Sequence, residues 1–245
     1  MNRAVVNLAT RKSAIGSRLA RGYSLQIFEN SERNGCDIEG IFKLLFNLNR
    51  NKKSYSRCKN KLEKIAGVIK CGISNDETPK LQIIFRSCFL SKTIHEGGDC
   101  FDEQVVSYTR LDVWPHDGQV SVSSYRALFS IHALQRFIQR TDVDYRDKLK
   151  TAVDLEGIAC LRALSGNYLL GSDTNAYAPS IKFMGAWAVE VTRGEAEIGW
   201  PDTSSGDRPE IRILLVRTFL SPDEMSPQVY LQWNGDPRCN FLQMA

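Results

Sequence analysis

The sequence predicts an α+β fold in which a basic, mainly helical N-terminal region precedes an antiparallel sheet packed on helices. Three observations carry that expectation. Apolar residues recur at helical spacing in the first third of the chain and again over 131–164, whereas from Leu81 most other apolar runs are short and bounded by turn residues. The short runs follow one another as a meander instead of alternating one for one with helices, which argues against a doubly wound sheet. Charge is segregated too: residues 1–75 hold 15 Lys and Arg against five acids, and 76–245 hold 17 against 23. That shift divides the chain into a basic helical region, 1–75, and an α+β domain, 76–245.

Residues 1–28 contain five bases and no acid. On a helical wheel Val5, Leu8, Ile15 and Leu19 share one side, with Arg3, Arg18 and Arg21 turned away, so a basic amphipathic helix is expected. The stretch is also similar to a mitochondrial presequence, with a processing-like Arg21-Gly22-Tyr23-Ser24, and a mitochondrial location is the alternative to a cytoplasmic one if residues 1–23 are a leader. Asp37 is placed to cap a helix through Asn49, with Ile38, Ile41, Phe42, Leu45 and Leu48 along one side. From Arg50 to Lys64 seven bases meet one acid, in a loop that turns into a second helix reaching Ile69. Lys52, Lys53, Arg57 and Lys59 are the candidate contacts to nucleic-acid phosphates, and Tyr55 lies among them to stack on a base. A solvated helix face is the competing account of the same charges.

Beyond residue 80 the pattern gives strands at Leu81–Phe85, Gln104–Thr109 and Gln119–Ser123, with Asp117-Gly118 as the turn between the last two. Helices follow at Ile131–Gln139 and Tyr145–Leu164. Strands resume at Ile181–Met184, Ala186–Thr192, Ala196–Trp200 and Ile211–Phe219, with Gly171–Asn175 as a turn and Arg193-Gly194-Glu195 as a hairpin turn. Ser221-Pro222-Asp223-Glu224 has the form of a capping box, and Val229–Trp233 reads as a last strand.

Several function classes are excluded on composition and motif. No apolar run approaches the roughly 18 residues that span a bilayer as a helix. Seven cysteines form an odd set without a CxxC pair, which points to reduced thiols and away from a disulfide scaffold or a zinc site. With only three histidines, no metal centre and no cofactor are expected. GxSxG, P-loop, HExxH and GxGxxG motifs are absent. The acid pairs Asp142/Asp144 and Glu195/Glu197 read as exposed charge.

The segment from Ser130 to Arg140 carries the most chemistry. Setting His132 at zero on a helical wheel, Arg136 lies at about 40° and Arg140 at about 80°, while Ile131, Leu134, Phe137 and Ile138 form the opposite, buried side. Ser130 is the natural N-cap and puts His132 in the first turn, where the helix dipole favours the neutral ring that a general base needs. Two arginines one and two turns further on offer forked donors to a phosphate. A neutral imidazole beside guanidinium groups suits metal-free RNA cleavage, the base taking the 2′-hydroxyl proton and the arginines balancing charge that develops on phosphorus. The competing account is a helix with a basic, solvated outer face.

His-Ala-x-x-Arg-x-x-x-Arg at the start of a helix, followed by a meander with a Thr late in a strand, resembles the toxin-type ribonucleases of the barnase, EndoU, colicin and RelE-like group. The likeness covers about Leu128–Trp233. It implies His132 as base, Arg136 and Arg140 as phosphate ligands, and Thr218 as a hydroxyl contact to substrate. The region is longer than such domains and holds no obvious second histidine; His116, in Trp-Pro-His-Asp-Gly, could serve as the acid, although a turn histidine is more often incidental. The expectation is therefore a cytoplasmic, RNA-acting protein, a metal-independent endoribonuclease of toxin or effector type, with RNA and a protein partner such as an antitoxin. The alternative is a non-catalytic module that binds nucleic acid or protein.

Overall fold

A computed structural model describes residues 16–33, 35–48, 52–74, 79–94, 100–116, 119–144, 148–172, 175–195 and 210–236. Helices α1 (Ser17–Arg33), α2 (Ile38–Leu45) and α3 (Lys52–Leu62) come first. They are followed by strands β1 (Val68–Ile73), β2 (Leu81–Ile94), β3 (Cys100–His116) and β4 (Gln119–Ser130). Helices α4 (Ile131–Arg140) and α5 (Leu149–Ser165) lead to β5 (Leu170–Ser172), β6 (Asn175–Pro179), β7 (Ala186–Glu195) and β8 (Glu210–Leu220), and α6 (Pro227–Gly235) closes the described chain.

The α+β class holds. One eight-stranded sheet runs in the order β1-β2-β3-β4-β8-β7-β6-β5. It is two antiparallel meanders joined at a single parallel seam, where β4 and β8 pair from Tyr125↔Arg212 to Phe129↔Val216. A parallel pair needs a long crossover, and α4, α5 and β5–β7 supply it. The expected division near residue 75 falls in the β1–β2 connection, and hydrogen bonds cross it, since β1 pairs with β2 from Ile73↔Leu81 upward.

Alternating side chains commit the sheet to two cores. Ile84, Val106, Tyr108, Phe129, Trp187, Val189, Leu214 and Val216 point to one face and are covered by α1, α4 and α5. Ile83, Phe85, Leu111, Val113 and Ile211 point to the other, under α2 and α3. At the far end of that second face α6 sets Val229 and Trp233 against Ala186. On the first face Phe137 of α4 stacks on Trp187 at 5.1 Å, and Phe129 and Phe219 meet the same indole edge-on. Helix α5 can press this close because residue 157 is glycine: a Cβ there would lie 2.5 Å from the buried Tyr108 ring. Beside it, Asp154 of α5 accepts from the Tyr108 hydroxyl at 2.9 Å and from the buried Arg86 guanidinium.

Layer lengths do not match. The 17 residues of α5 span about 25 Å, and the 17 of β3 about 55 Å. Covered by helices on the first face as far as Arg110, β3 runs on through Asp112 and Trp114 beyond the end of α5.

Several local expectations are corrected. The second basic helix stops at Leu62 instead of Ile69, because Gly67 takes a left-handed φ of 82° that turns the chain into β1, its carbonyl accepting from Arg86 N. Leu19, expected on the apolar side of the first helix, is exposed; α1 buries Ala20, Ser24, Ile27, Phe28 and Ser31 instead, against α4. Tyr55 is no stacking residue, being buried with its hydroxyl on the Pro79 carbonyl at 2.8 Å. Ile181–Met184 is a bend, held by Ser180 Oγ, which accepts from Phe183 N. Arg193–Glu195 continues β7, and Val229–Trp233 lies in α6, capped by Ser226. The capping box at Ser221 is present but closes only a 3-10 turn, Pro222–Glu224. Asp117-Gly118 and the expected strand Ala196–Trp200 lie outside the described residues.

Glu156 gives the core a pH dependence. This fully buried carboxylate accepts from Ser180 Oγ at 2.9 Å, from Trp187 Nε1 at 2.8 Å and from the Lys182 backbone N–H, with no ion pair to a described cation. Burial pushes its pKa up from 4.5 to about 7, against the opposing pull of those donors and of the Lys182 charge. Between these values the folded protein holds a proton that the unfolded chain has lost, so stability falls as pH rises through the window and levels off above it. We expect Glu156→Gln to match the wild type at pH 5 and to exceed it by about 2–3 kcal/mol at pH 8, read from denaturant titrations at both pH values. An equal gap at the two pH values would show that the carboxyl is not the titrating group.

Candidate nucleic-acid interface

Helix α4 forms as its sequence pattern requires. Ser130 caps it, accepting from Ala133 N at 3.1 Å, and Ala133, Leu134, Phe137 and Ile138 are buried. The opposite side carries His132, which is exposed, and Arg136, which is half-buried. Arg140 is not available in the same way. Its guanidinium is ion-paired with Glu224 and donates to the Phe219 carbonyl and to Thr218 Oγ1, the last at 3.2 Å. The structure thus brings Arg140 and Thr218 together, as a bridge that ties the end of α4 to β8 and to the turn after it. Arg217 is the extra residue of a bulge opposite Ala188/Val189 and pairs with Glu190. The side chain of His116 lies outside the described residues; its backbone pairs with Gln119.

The basic residues of α3 divide. Lys53 and Arg57, with Lys61 one turn further on, line a cleft of about 340 Å³ between α2 and α3, together with Asn47 and Ser54. These three cations stand at i, i+4 and i+8, so they form one stripe. Arg57 and Lys61 make no ion pair with a described residue, and no described carboxylate lines the cleft. Lys59 points elsewhere, to Glu63 at 3.4 Å, and the side chain of Lys52 lies outside the described residues. Lys61 is the member that the sequence reading passed over, although a count of four from Arg57 finds it.

The α3 cleft and His132 do not share a surface. Helix α3 packs through Tyr55, Cys58 and Leu62 on the face of Phe85 and Leu111, and α4 packs through Leu134 and Phe137 on the face of Val106 and Phe129. The sheet stands between them.

The described cysteines are free thiols. Burial pushes those of Cys36 and Cys71 up to about 12 and that of Cys88 to about 11, and it raises Cys58 and Cys160 as well, so none is a thiolate nucleophile at neutral pH. Among the described residues no group of three or more His, Cys, Asp or Glu side chains could hold a metal ion, and no helix is long and apolar enough to cross a membrane. No protein-family model, curated protein or solved structure matches the chain.

The bridge at Arg140 has a measurable signature. We expect Arg140→Ala and Glu224→Ala each to destabilise the fold by about 1–2 kcal/mol, with a coupling of about 1 kcal/mol in the double-mutant cycle, read from denaturant midpoints. Strict additivity would show the ion pair to be idle.

Proposed function

We propose that this chain is an RNA-binding protein that grips phosphates in the α2–α3 cleft. The observation that supports it is the stripe of Lys53, Arg57 and Lys61 along a recess that Asn47 and Ser54 also line and that no described carboxylate lines. A step of four helical residues is about 6 Å, comparable to the separation of consecutive phosphates on one strand. A recess with discrete donors suits individual phosphates better than the plane of a membrane surface does. The free thiols of the described cysteines, three of the five buried, accord with action in the cytoplasm.

The reading is tested by fluorescence anisotropy with a labelled RNA strand across a salt series. The triple variant Lys53→Ala/Arg57→Ala/Lys61→Ala should bind more weakly for every sequence, and its slope of log affinity against log salt should flatten by about 2, from about 0.7 per lost single-strand contact. An unchanged affinity and slope would sink it.

A second reading, a metal-independent endoribonuclease of toxin or effector type, is supported by His132, exposed in the first turn of α4 with Arg136 one turn on. His132 would take the 2′-hydroxyl proton, the 2′-oxygen would bond to phosphorus, and the 5′-oxygen would leave with a proton from solvent. Arg136 would hold the phosphate, while Arg140, bound to Glu224, holds the helix end. On this reading His132→Ala lowers cleavage by about 10²–10⁴-fold, leaves RNA affinity intact and removes 2′,3′-cyclic phosphate ends from the products. Equal cleavage by variant and wild type would leave RNA binding alone as the function.

A further inference from the structure

The part of β3 that outruns α5 carries a stretch of sheet that no described helix covers, with a composition of its own. The register puts Arg110, Tyr125, Arg212 and Arg193 side by side across β3, β4, β8 and β7. They lie in one row on the face of α5. Further along the same face stands Trp114, with the Lys80 ammonium 5.0 Å from its ring centre. Tyr125 and Trp114 are half-buried, each with part of its surface open to solvent.

The guanidinium groups beside Tyr125 are fixed in place. Arg110 donates from Nε and Nη2 to the two oxygens of Asp112, both at 2.9 Å, and from Nη1 to Ser165 Oγ at the end of α5 at 2.8 Å. Its guanidinium carbon lies 5.9 Å from the Tyr125 ring centre. On the other side Arg212 donates to Asn167 Oδ1 at 3.1 Å, and Asn167 itself holds a left-handed φ of 57° just past the helix. Arg193 pairs with Glu210 at 3.3 Å. Carboxylates thus balance Arg110 and Arg193, and this face, unlike the α3 cleft, is poorly suited to phosphates. What it offers is the half-buried rings of Tyr125 and Trp114 and the exposed guanidinium of Arg193, the kinds of surface on which unpaired bases stack.

We propose that this face, which no described helix covers and which is centred on Tyr125 and Trp114, stacks the unpaired bases of single-stranded RNA. The inference rests on the RNA-binding reading and adds to it the class of RNA. Four residues along a strand and one strand across separate the two rings by about 14 Å, room for a short run of nucleotides. A duplex hides its base faces and gains nothing here.

The test uses the full chain, a labelled 12-nucleotide oligo-U and an RNA duplex of the same length, with thermal melts to confirm folding. Tyr125→Ala and Trp114→Ala should each weaken oligo-U binding roughly tenfold. Neither should move duplex affinity or the salt slope, and Tyr125→Phe, which keeps the ring, should stay within about twofold of wild type. Oligo-U affinity unchanged by both alanine variants, or duplex affinity falling in step, overturns the stacking surface. If the triple α3 variant alone weakens oligo-U, RNA binding stands and the stacking surface falls. If the wild type binds neither RNA, both fall together.

Discussion

The indole of Trp187 is the group on which the arrangement of this molecule depends. It lies on β7, stacks on Phe137 of α4, donates to Glu156 of α5 and meets Phe219 of β8 edge-on. Removing a buried side chain of that size costs about 3–5 kcal/mol in packing alone. Here it would also take one donor from a buried carboxylate. Helices α4 and α5 form the start of the crossover that the parallel seam between β4 and β8 requires, so their seating on Trp187 and the topology of the sheet are one constraint. The position of His132 and Arg136 on the outside of α4 follows from that seating.

A second constraint is arithmetic. A helix advances about 1.5 Å per residue and a strand about 3.3 Å, so helices and strands of equal length cannot cover one another. The chain deals with the surplus differently on the two faces. Under Leu111 and Val113 it supplies α2 and α3, and the strand buries apolar side chains. On the reverse of the same stretch it supplies no described helix, and the strand carries Asp112 and Trp114. Past Ser165, where α5 ends, that face thus carries polar and aromatic residues in place of an apolar core.

How much of this was legible in the sequence depends on the range of the interaction involved. Helix α4 and its Ser130 cap follow from local periodicity and one side chain, and both were readable. Helix α6 was misread because Val229-Tyr-Leu-Gln-Trp233 alternates like a strand, while the Ser226-Pro227 start that marks it as helical stands beside a more conspicuous capping box at Ser221. Arg140 was readable as part of a basic stripe, but not as the partner of Glu224, 84 positions away, which only the packing of α4 on β8 brings near. The row of Arg110, Tyr125 and Arg212 was wholly hidden. Two of its members are joined through the parallel seam, and no hairpin or spacing in the sequence announces that β4 pairs with β8.

The two surfaces proposed for RNA lie on opposite faces of the sheet, and their charges differ in the sense that the division of labour requires. In the α3 cleft the described lining holds three cations and no carboxylate, which favours the polyanionic backbone and predicts a steep salt dependence with little regard to sequence or strandedness. On the sheet two of the arginines are balanced, and stacking on rings depends weakly on salt but strongly on whether bases are unpaired. The edge strand β1 links them. Exposed Lys61 and Lys64 follow the cleft along the chain, and exposed Lys70 of β1 pairs in register with Ile84, whose other neighbour is Arg110. A strand rounding that edge would meet positive charge along the way. Affinity would then come from one face and the preference for single strands from the other, so the two are separable by mutation.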